Sequence, residues 1–518
     1  MTPRTLLQRA VQSFPERTAV LDGSLRFTYR QFDDRTSRLA NSFADLGLKK
    51  GERVAFLMPN CHQALETDAA CYKAGFVKVP LNARLSTGEL VHMMNNSGTS
   101  ALVVHPKFVE GIQASRPQME TVRHFIVTSD SAESMTSYED LVTDGSPQRP
   151  DVELSPEDLY GLFYTSGTTG VLKAAMITYR NYIATTRYWE HHGLAQGDGL
   201  VVGYVAPVTH AASLLVLPAL IRGGVNVLLS SFDPETLFRT IQVKKVTDLF
   251  LIPLMINLLL THPARQDYDL RSLRNITYGA APMAPDRIQK ALEVFGPILR
   301  QAYGQTESTG LGTLLSVEDH VTRGDPKKVE RLASAGRPVS ECEIRVVDED
   351  GKGVATGDVG EILIRGDSVM AGYWNAPELT ADTLANGWLH TRDMGRFDED
   401  GYLFLVDRRS DMVISGGLNI YPNEVENVLV SHPAVFEAAV VGVPDELWGE
   451  AVKAVVVLRE GATATEDELI EYCRERLASY KKPKSVDFAR DLPTNPTGKL
   501  LRRLVREPYW TGRARRVG

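Results

Sequence analysis

A chain of 518 residues is longer than one ordinary hydrophobic core and predicts roughly three to four domain-sized units with clefts between them. Hydrophobic residues make up 43% of the chain and charged residues 24%, which is typical of a soluble globular protein. The 57 basic and 65 acidic residues give a net charge of −8, and this mild acidity argues against a general nucleic-acid binder.

Cysteine spacing and apolar runs exclude several classes of protein. The four cysteines lie far apart and form no CxxC pair or Cys/His cluster that could hold zinc. Charged residues such as Arg9 and Glu16 interrupt the N-terminal stretch before a signal-type apolar core can form. The longest apolar run, LFLIPLMINLLL at 249–260, is about half of what a bilayer requires and contains Pro253, so it predicts buried core. We expect reduced thiols, no transmembrane segment and a cytoplasmic location.

Amphipathic helical patterns alternate with short apolar runs up to about residue 340. The helical patterns include RTLLQRAVQSF and YRQFDDRTSRLANSFADLG, and the strand-like runs include RVAFLMP, ALVVHP, HFIVTS, VNVLLS and RNITYG. This alternation predicts α/β structure, with parallel sheets covered by helices. The later stretches CEIRVVDEDGKGV, GEILIRG and GYLFLVDR are short strands joined by Gly and Asp turns, which indicate an antiparallel or barrel-like portion.

A compact module is predicted from residue 411 onward. Its expected elements are a helix in PNEVENVLVSH, strands in VFEAAVVGV and AVKAVVVL, and a helix in TEDELIEYCRERLA. The polar run VDRRSDM before it is the preferred domain boundary. By composition alone this run fits either a hinge or an ordinary surface loop.

The stretch YTSGTTGVLK at 164–173 has the composition of a phosphate-binding loop. It lacks the GxxxxGK[ST] spacing of a Walker loop and the GxGxxG of a dinucleotide fold. Glycines allow the backbone to approach a ligand, and hydroxyls, backbone N–H groups and an ammonium can all face a polyphosphate. By itself the stretch is either a phosphate cradle or a structural turn. Its polar and glycine positions are Thr165, Ser166, Gly167, Thr168, Thr169, Gly170 and Lys173.

Three further stretches favour the phosphate cradle. They are YGAAPM at 278–283 with QAYGQTES at 301–308, then GWLHTRDMGRFDEDGYLFLVDRRSDMVISGGLNIYPNEVE at 387–426, and LPTNPTGKLLRR at 492–503. Together with YTSGTTG, and in this order, they resemble the adenylate-forming superfamily that contains acyl-CoA synthetases, luciferases and the adenylation domains of peptide synthetases. The resemblance covers essentially the whole chain.

The resemblance implies a fold and its domain boundaries. It implies a large N-terminal AMP-binding domain over 1–407, built from two parallel-sheet α/β subdomains and a small distorted β-barrel. A hinge at 408–410 would join it to a small mobile α+β domain over 411–518. Rotation about the hinge would exchange the surfaces that serve the two half-reactions.

The resemblance also implies the catalytic residues. Lys173, Thr165 and the rest of the loop would hold the β- and γ-phosphates of ATP, and Glu307 would hold Mg²⁺ near them. Lys499 would reach the α-phosphate and the substrate carboxylate and offset the charge that develops there. Relatives usually read TSGTTGxPKG, whereas this chain has Leu172 in place of the proline and Ala174 in place of the last glycine, so the loop before Lys173 is less restrained.

Residues around the nucleotide follow from the same motifs. Tyr303 would stack on adenine, Asp393 would accept hydrogen bonds from the ribose hydroxyls, and Arg408 would assist it. Besides these and the phosphate loop, the implied nucleotide-binding set contains Gly279, Ala280, Ala281, Pro282, Gln301, Ala302, Gly304, Gln305, Thr306, Glu307 and Lys499.

By motif position the hinge residue is Ser410, where relatives commonly carry Asp or Lys. Coenzyme A is the expected second substrate. Gly416 and Gly417 would border the pantetheine tunnel, where side chains would obstruct. We assign the nucleotide end of coenzyme A to Arg84, Trp448 and Lys481.

The acyl pocket is assigned to YVAPVTHAASLLVLPAL at 204–220, where relatives close the pocket with a His or an aromatic residue. His210 is the expected gate. Acetate-specific relatives shorten the pocket with a Trp where this chain has Gly304, so we expect medium-chain, branched or aromatic acids. No acidic residue for an amino-acid substrate occurs in APVTHAAS. The remaining expected lining residues are Ala211, Ala212, Tyr278, Gly279, Gly310 and Leu311.

The leading hypothesis is an ATP-dependent acid:CoA ligase that releases AMP and pyrophosphate. The second is a stand-alone adenylate ligase that loads a carrier protein, and the third is a nucleotide-binding relative without turnover. The presence of Lys173, Glu307, Asp393, Arg408 and Lys499 argues against the third. The expected partner is a small-molecule carboxylic acid, and a homodimer is left open.

Overall fold

The computed structural model describes residues 1–129, 134–166, 172–281, 283–408, 411–415, 418–494 and 500–511. Its strands are β1 Thr18–Asp22, β2 Leu25–Thr28, β3 Arg53–Leu57, β4 Val77–Pro80, β5 Thr99–Val104, β6 His124–Val127, β7 Thr136–Ser137, β8 Leu159–Ser166, β9 Leu172–Thr178, β10 Val201–Tyr204, β11 Val225–Leu228, β12 Asp248–Leu251, β13 Asn275–Gly279, β14 Leu299–Tyr303, β15 Thr313–Leu315, β16 Arg337–Pro338, β17 Glu343–Val347, β18 Gly360–Arg365, β19 Leu389–Phe397, β20 Leu403–Arg408, β21 Val413–Ser415, β22 Leu418–Ile420, β23 Val435–Asp445, β24 Gly449–Leu458 and β25 Ser485–Phe488.

The helices cover the faces of these sheets. They are α1 Pro3–Ser13, α2 Tyr29–Asp45, α3 His62–Ala74, α4 Thr87–Ser97, α5 Val109–Ser115, α6 Tyr138–Asp144, α7 Tyr179–Tyr188, α8 Val216–Ile221, α9 Pro234–Lys244, α10 Pro253–Thr261, α11 Pro285–Phe295, α12 Pro326–Arg331, α13 Pro377–Thr383, α14 Pro422–Val430, α15 Glu466–Arg474 and α16 Arg502–Arg506. Many begin where the sequence supplies a cap. Thr28 and Gln31 form a reciprocal capping box at the start of α2, which satisfies backbone N–H groups that have no partner within the helix.

Two large sheets confirm the predicted α/β architecture. One has the order β16-β15-β14-β13-β12-β10-β11-β1-β2 and the other the order β7-β6-β5-β3-β4-β8-β9. Their inner strands are parallel, while β1–β2, β14–β15, β15–β16 and β8–β9 pair antiparallel at the edges. Helix α3 contacts β1 of the first sheet and β3 and β4 of the second, so it lies between them. The largest apolar core contains side chains of both sheets.

The antiparallel portion predicted after residue 340 is confirmed, and no closed barrel is found among the described residues. The strands after residue 340 form an antiparallel sheet of order β17-β18-β19-β20, and within the described ranges no ladder joins β17 to β20. The sheet is therefore open. Gly and Asp turns predict antiparallel hairpins, but they carry no information on whether the first and last strands meet.

The module after residue 411 is confirmed in its elements. Strands β22, β21, β24 and β23 form one sheet, with β25 added in parallel beside β24. Helices α14 and α15 contribute Leu429, Leu469 and Cys473 to its core. The predicted limits of the domains and of the hinge stay a prediction, and Ser410 lies outside the described residues.

The apolar run at 249–260 divides into two elements. Strand β12 is buried throughout, and Pro253 begins α10, in which Leu254 and Leu258 are exposed. The prediction of buried core is correct for the strand and for one face of the helix. Over the described positions, no helix has the length and apolar character needed to span a bilayer. All four cysteines are buried and free.

Candidate active site

The antiparallel pair β8–β9 holds the two ends of the predicted phosphate loop. Thr165 lies opposite Lys173 in the register of this pair. The predicted loop residues Gly167, Thr168, Thr169 and Gly170 lie outside the described residues, and only the backbone of Ser166 is described. The stem therefore fixes Thr165 and Lys173 side by side at the edge of the second sheet.

Glu307 meets this stem from the first sheet. Glu307 is 9% exposed and lies in the short 3₁₀ turn Thr306–Ser308 after β14. The Thr165 hydroxyl donates to Glu307 Oε1 at 3.4 Å, and the Tyr373 hydroxyl donates to the same oxygen at 2.7 Å. Lys173 Nζ lies 4.2 Å from the centroid of the Tyr373 ring. The carboxylate and the ammonium predicted to serve Mg²⁺ and phosphate are thus brought together around one tyrosine.

Sequence reasoning missed Tyr373. The segment that carries it runs beside β9, where Met176 N donates to Gly372 O at 2.8 Å and Trp374 N donates to Ala174 O at 2.9 Å. Burial and the nearby Glu307 carboxylate raise the pKa of Tyr373, so the phenol stays protonated and donates. The only local signal is an aromatic residue after a glycine in a loop, which is common in any protein.

Asp393, the carboxylate predicted to bind the ribose, lies beside Tyr303 and Gln305. Tyr303 OH donates to Asp393 Oδ2 at 2.9 Å, and Gln305 Nε2 donates to the same oxygen at 2.6 Å. Gln305 also donates to Thr391 O at 2.9 Å, which holds its amide in place. Arg408 lies opposite Asp393 in the β19–β20 register, and only its backbone is described. The structure therefore joins the predicted adenine-stacking ring to the predicted ribose acceptor.

The strands β13 and β14 approach closely where adenine is predicted to bind. A Cβ on Gly279 would lie 2.5 Å from Ala302 O, so only glycine fits this contact. Ala280 has a φ of 66°, a left-handed backbone conformation that turns the chain sharply after β13. Ala281 follows it, and Pro282 lies outside the described residues. These carboxyl ends of parallel strands are where open α/β sheets bind their ligands.

Tyr278 lies in the core rather than in an open pocket. The residue is fully buried, and its hydroxyl is 3.0 Å from His320 Nε2 and 3.3 Å from Gln301 Oε1. His320 Nδ1 is 2.6 Å from Ser316 O, so this nitrogen carries the hydrogen. Burial lowers the pKa of His320 to about 4 and keeps the ring neutral. Nothing in the local sequence of His320 marks it as a partner of Tyr278.

The predicted acyl gate begins a short helix. His210 precedes the 3₁₀ turn Ala211–Leu215, and its Nδ1 lies 2.9 Å from Thr209 Oγ1. Burial lowers the pKa of His210 to about 4, and the nearby Arg84 guanidinium acts in the same direction. The imidazole is therefore neutral at physiological pH. Arg84, predicted to bind the nucleotide end of coenzyme A, lies close enough to His210 to act on its charge.

Gly304 has a packing role that the sequence does not indicate. A Cβ on Gly304 would lie 2.5 Å from the carbonyl carbon of Gly310 and 2.8 Å from Leu311 N. A Cβ on Gly310 would in turn lie 2.6 Å from Leu214 of the gate turn. The backbone at Gly304 thus packs directly against the backbone at Gly310, and Gly310 packs against the turn after His210. Ala212 of this turn is buried. Glycine at 304 is required by this packing, whatever the depth of the pocket.

Two of the residues predicted for coenzyme A, Trp448 and Lys481, lie in the module after residue 411. Trp448 is half exposed at the tip of the β23–β24 hairpin, and Lys484 Nζ lies 5.1 Å from its ring centroid. Lys481 Nζ contacts both oxygens of Glu424 at 2.8 Å. Gly416 and Gly417 lie outside the described residues, as does the predicted catalytic Lys499.

Comparisons with known proteins find similar sequences along most of the chain. The AMP-binding enzyme family matches residues 7–374, and the AMP-binding enzyme C-terminal domain matches residues 424–499. A feruloyl-CoA synthase from an Amycolatopsis species is 39% identical over 504 residues, covering 97% of this chain and 98% of its own. A medium/long-chain-fatty-acid–CoA ligase from Mycobacterium tuberculosis is 35% identical over 531 residues, covering 99% and 91%.

A solved structure extends the likeness to the fold. The amide bond synthetase McbA from Marinactinospora thermotolerans superimposes with a TM-score of 0.89 at 29% identity, covering 98% of this chain and 100% of its own. The motifs, the fold and the long matches lead to one conclusion. The chain belongs to the family of AMP-binding enzymes.

Proposed function

We propose that the protein is an ATP-dependent carboxylic acid:CoA ligase. In the first half-reaction the carboxylate of the acid attacks the α-phosphorus of ATP, which gives an acyl-adenylate and releases pyrophosphate. In the second, the thiol of coenzyme A attacks the acyl carbon, which gives a thioester and releases AMP. The observation that carries the proposal is the meeting of Thr165, Lys173 and Glu307 around Tyr373.

The residues divide the work of the first half-reaction. Lys173 and the loop after Thr165 bind the phosphates that leave as pyrophosphate, and Lys499 offsets the charge that forms at the α-phosphorus. Tyr303 and Asp393, already joined by a hydrogen bond, hold the adenosine. Holding both substrates in register supplies a large part of the rate enhancement, because two anions must otherwise meet in solution.

The described donors fit a magnesium ion that binds together with phosphate. Mg²⁺ usually takes one or two protein carboxylates and fills its other positions with phosphate oxygens and water. Glu307, with the Thr165 hydroxyl beside it, supplies one hard oxygen donor of that kind. Among the described residues there is no group of three or more His, Cys, Asp or Glu side chains that could hold a metal without phosphate. When bound, the ion would neutralise charge on the phosphates.

The proposed substrate is a medium-chain, branched or aromatic acid, and the proposed acceptor is coenzyme A. Both assignments are supported by the relatives, whose names include feruloyl-CoA and medium- or long-chain fatty-acid–CoA chemistry. The fold alone does not select the acceptor, because a similar structure belongs to an amide bond synthetase. The exposed Trp448 with Lys484 over its ring offers an aromatic and cationic surface suited to the nucleotide of coenzyme A.

The test measures pyrophosphate release with a panel of acids, with and without coenzyme A. The panel contains ferulate, medium-chain and long-chain fatty acids, a branched acid and acetate. We expect pyrophosphate release with at least one acid larger than acetate. With ATP and that acid, coenzyme A as the sole acceptor should give a thioester. Pyrophosphate release without a thioester, but with transfer to a carrier protein or an amine, would reassign the acceptor. No release with any acid would overturn the proposal.

A further inference from the structure

Arg502 lies among carboxylates from three segments of the chain. It begins α16, and its side chain is only 13% exposed. Its Nε donates to Glu426 Oε1 at 2.9 Å and its Nη2 to Glu426 Oε2 at 2.5 Å. Its Nη1 lies 3.5 Å from Asp411 Oδ2 and 3.7 Å from Asp407 Oδ1. One guanidinium thus joins Glu426 and Asp411, which follow the predicted hinge, to Asp407, which precedes it.

Asp407 binds two helices of the small module from the end of β20. Its side chain is fully buried, and its Oδ2 accepts a hydrogen bond from Asn423 N at 3.0 Å, in the first turn of α14. Asn423 Nδ2 donates back to Val406 O at 3.2 Å. A carboxylate at a helix N-terminus satisfies an unpaired N–H and interacts favourably with the helix dipole. Asp407 therefore holds α14 directly and α16 through Arg502.

Arg502 also follows the stem of the segment that carries Lys499. Thr494 and Leu500 form an antiparallel bridge, and Leu501 N donates to Pro493 O at 2.8 Å. Residues 495–499 lie outside the described ranges, but both ends of the segment are fixed to each other and then to Arg502. Asp407 directly precedes Arg408 on β20, and Arg408 pairs with Asp393, the predicted ribose acceptor, on β19. The stem is thus held at the strand pair that borders the nucleotide site.

We propose that Arg502, through its contact with Asp407, is a positioning residue that places Lys499 for adenylate formation. The inference rests on the proposed function and on the assignment of Lys499 to the first half-reaction. Arg502 does not contact the reacting atoms in this role. It holds the stem of the Lys499 segment, formed by Thr494 and Leu500, close to Asp407 at the end of β20.

The charges around Asp407 make the contact sensitive to pH. Burial raises the pKa of Asp407 to about 7, with the carboxylates of Glu426 and Asp411 acting in the same direction, while Arg502 and the Asn423 N–H oppose them. These groups come from α14, α16 and the segment after the hinge, while β19 places the uncharged Met394 opposite. The contact therefore gains strength as the pH rises through about 7, because the carboxylate becomes charged.

The test compares the two half-reactions in full-length Asp407→Asn. The amide keeps an oxygen that can accept from Asn423 N but loses the charge that attracts Arg502. We expect pyrophosphate release at pH 8 to fall at least ~10-fold, while supplied acyl-adenylate and coenzyme A still give thioester at close to the normal rate. The rise of the first half-reaction through pH 7 should also disappear. Asp400→Asn is the matched control, because Asp400 lies in the turn between β19 and β20 and pairs with Lys327 at 2.7 Å.

A double variant separates positioning from a general structural effect. Arg502→Gln alone leaves several carboxylates without this cation and lowers stability, so it is compared with Asp407→Asn/Arg502→Gln. If the two residues act through one contact, the double variant loses no more adenylation than the more impaired single variant. Additive losses, an equal fall of both half-reactions, or an unaffected Asp407→Asn would overturn the inference. Absence of pyrophosphate release in the unaltered protein would instead overturn the proposed function.

Discussion

Tyr373→Phe tests whether the hydroxyl that holds Glu307 contributes to adenylate formation. The change removes one oxygen and keeps the ring over which Lys173 lies. The lost hydrogen bond is 2.7 Å long and ends on a carboxylate, and Tyr373 and Glu307 are 3% and 9% exposed. Hydrogen bonds to charged groups contribute about 1.5–3 kcal/mol net. If the first half-reaction depends on this orientation, the loss corresponds to a fall of roughly 10- to 150-fold in its rate.

The assay is pyrophosphate release at varied ATP and Mg²⁺ concentrations. We expect the apparent KM for Mg·ATP to rise and the rate to fall, with partial recovery at high Mg²⁺, because in its proposed role a misplaced Glu307 would bind the ion more weakly. Conversion of a supplied acyl-adenylate to thioester should be unchanged, since that step needs no pyrophosphate site.

Tyr402→Phe is the matched control for this substitution. Its hydroxyl donates to Asp319 at 2.5 Å, and Tyr402 is 2% exposed, so the lost contact is similar in kind. It should lower the melting temperature without changing the Mg²⁺ dependence. The reasoning is refuted if the two variants lose activity equally, or if a folded Tyr373→Phe shows the unaltered dependence on Mg·ATP.

Three further predictions concern other parts of the molecule. Lys499→Ala should abolish adenylate formation while supplied acyl-adenylate is still converted to thioester, and equal loss of both half-reactions would contradict its role in the first. Gly304→Ala should lower the free energy of unfolding by about 1–3 kcal/mol in a denaturant titration, because its Cβ would lie 2.5 Å from Gly310. The control is Gly353→Ala, where no atom lies within 4 Å of the added Cβ, and it should change the free energy of unfolding by less than about 0.5 kcal/mol. If the two substitutions lower the free energy of unfolding equally, the packing argument is excluded. His320 has a folded pKa of about 4, below its ordinary 6.5, so the folded state binds fewer protons between these values. The stability it contributes is fully present above pH 6.5 and is lost as the pH falls towards 4, by roughly 3 kcal/mol. His320→Gln should therefore show a smaller decrease in unfolding free energy between pH 7 and pH 4.5, and an unchanged decrease would argue against a neutral buried imidazole.

Much of the fold follows from local patterns in the sequence. The apolar periodicity of YRQFDDRTSRLANSFADLG predicts α2, and a capping box formed by Thr28 and Gln31 fixes its first turn. RVAFLMP and RNITYG predict the strands β3 and β13. Pro253 explains why one apolar run becomes a strand and then a helix. Each of these elements depends on residues that lie a few positions apart, so it can be predicted from the sequence.

The motifs likewise indicate the chemistry of the site from the order of residues along the chain. Lys173, Glu307 and Asp393 are assigned by the blocks that carry them, and the fold brings the first two together around one tyrosine and joins the third to Tyr303. Their functional roles remain predictions to be tested by the experiments above. The assignment is possible because the four sequence blocks occur in this chain in the same order as in the family that they resemble.

Only the tertiary structure reveals the contacts between distant segments. Tyr373 bonds Glu307 across 66 positions of the chain, and Arg502 contacts Asp407, although neither has a local pattern that marks its partner. The pairing of β17 to β20 and the tight packing behind Gly304 also cannot be predicted locally, since both depend on which backbone segments approach each other. Local sequence sets the conformation of each element, whereas burial and charge pairing between elements are decided only when the whole chain packs.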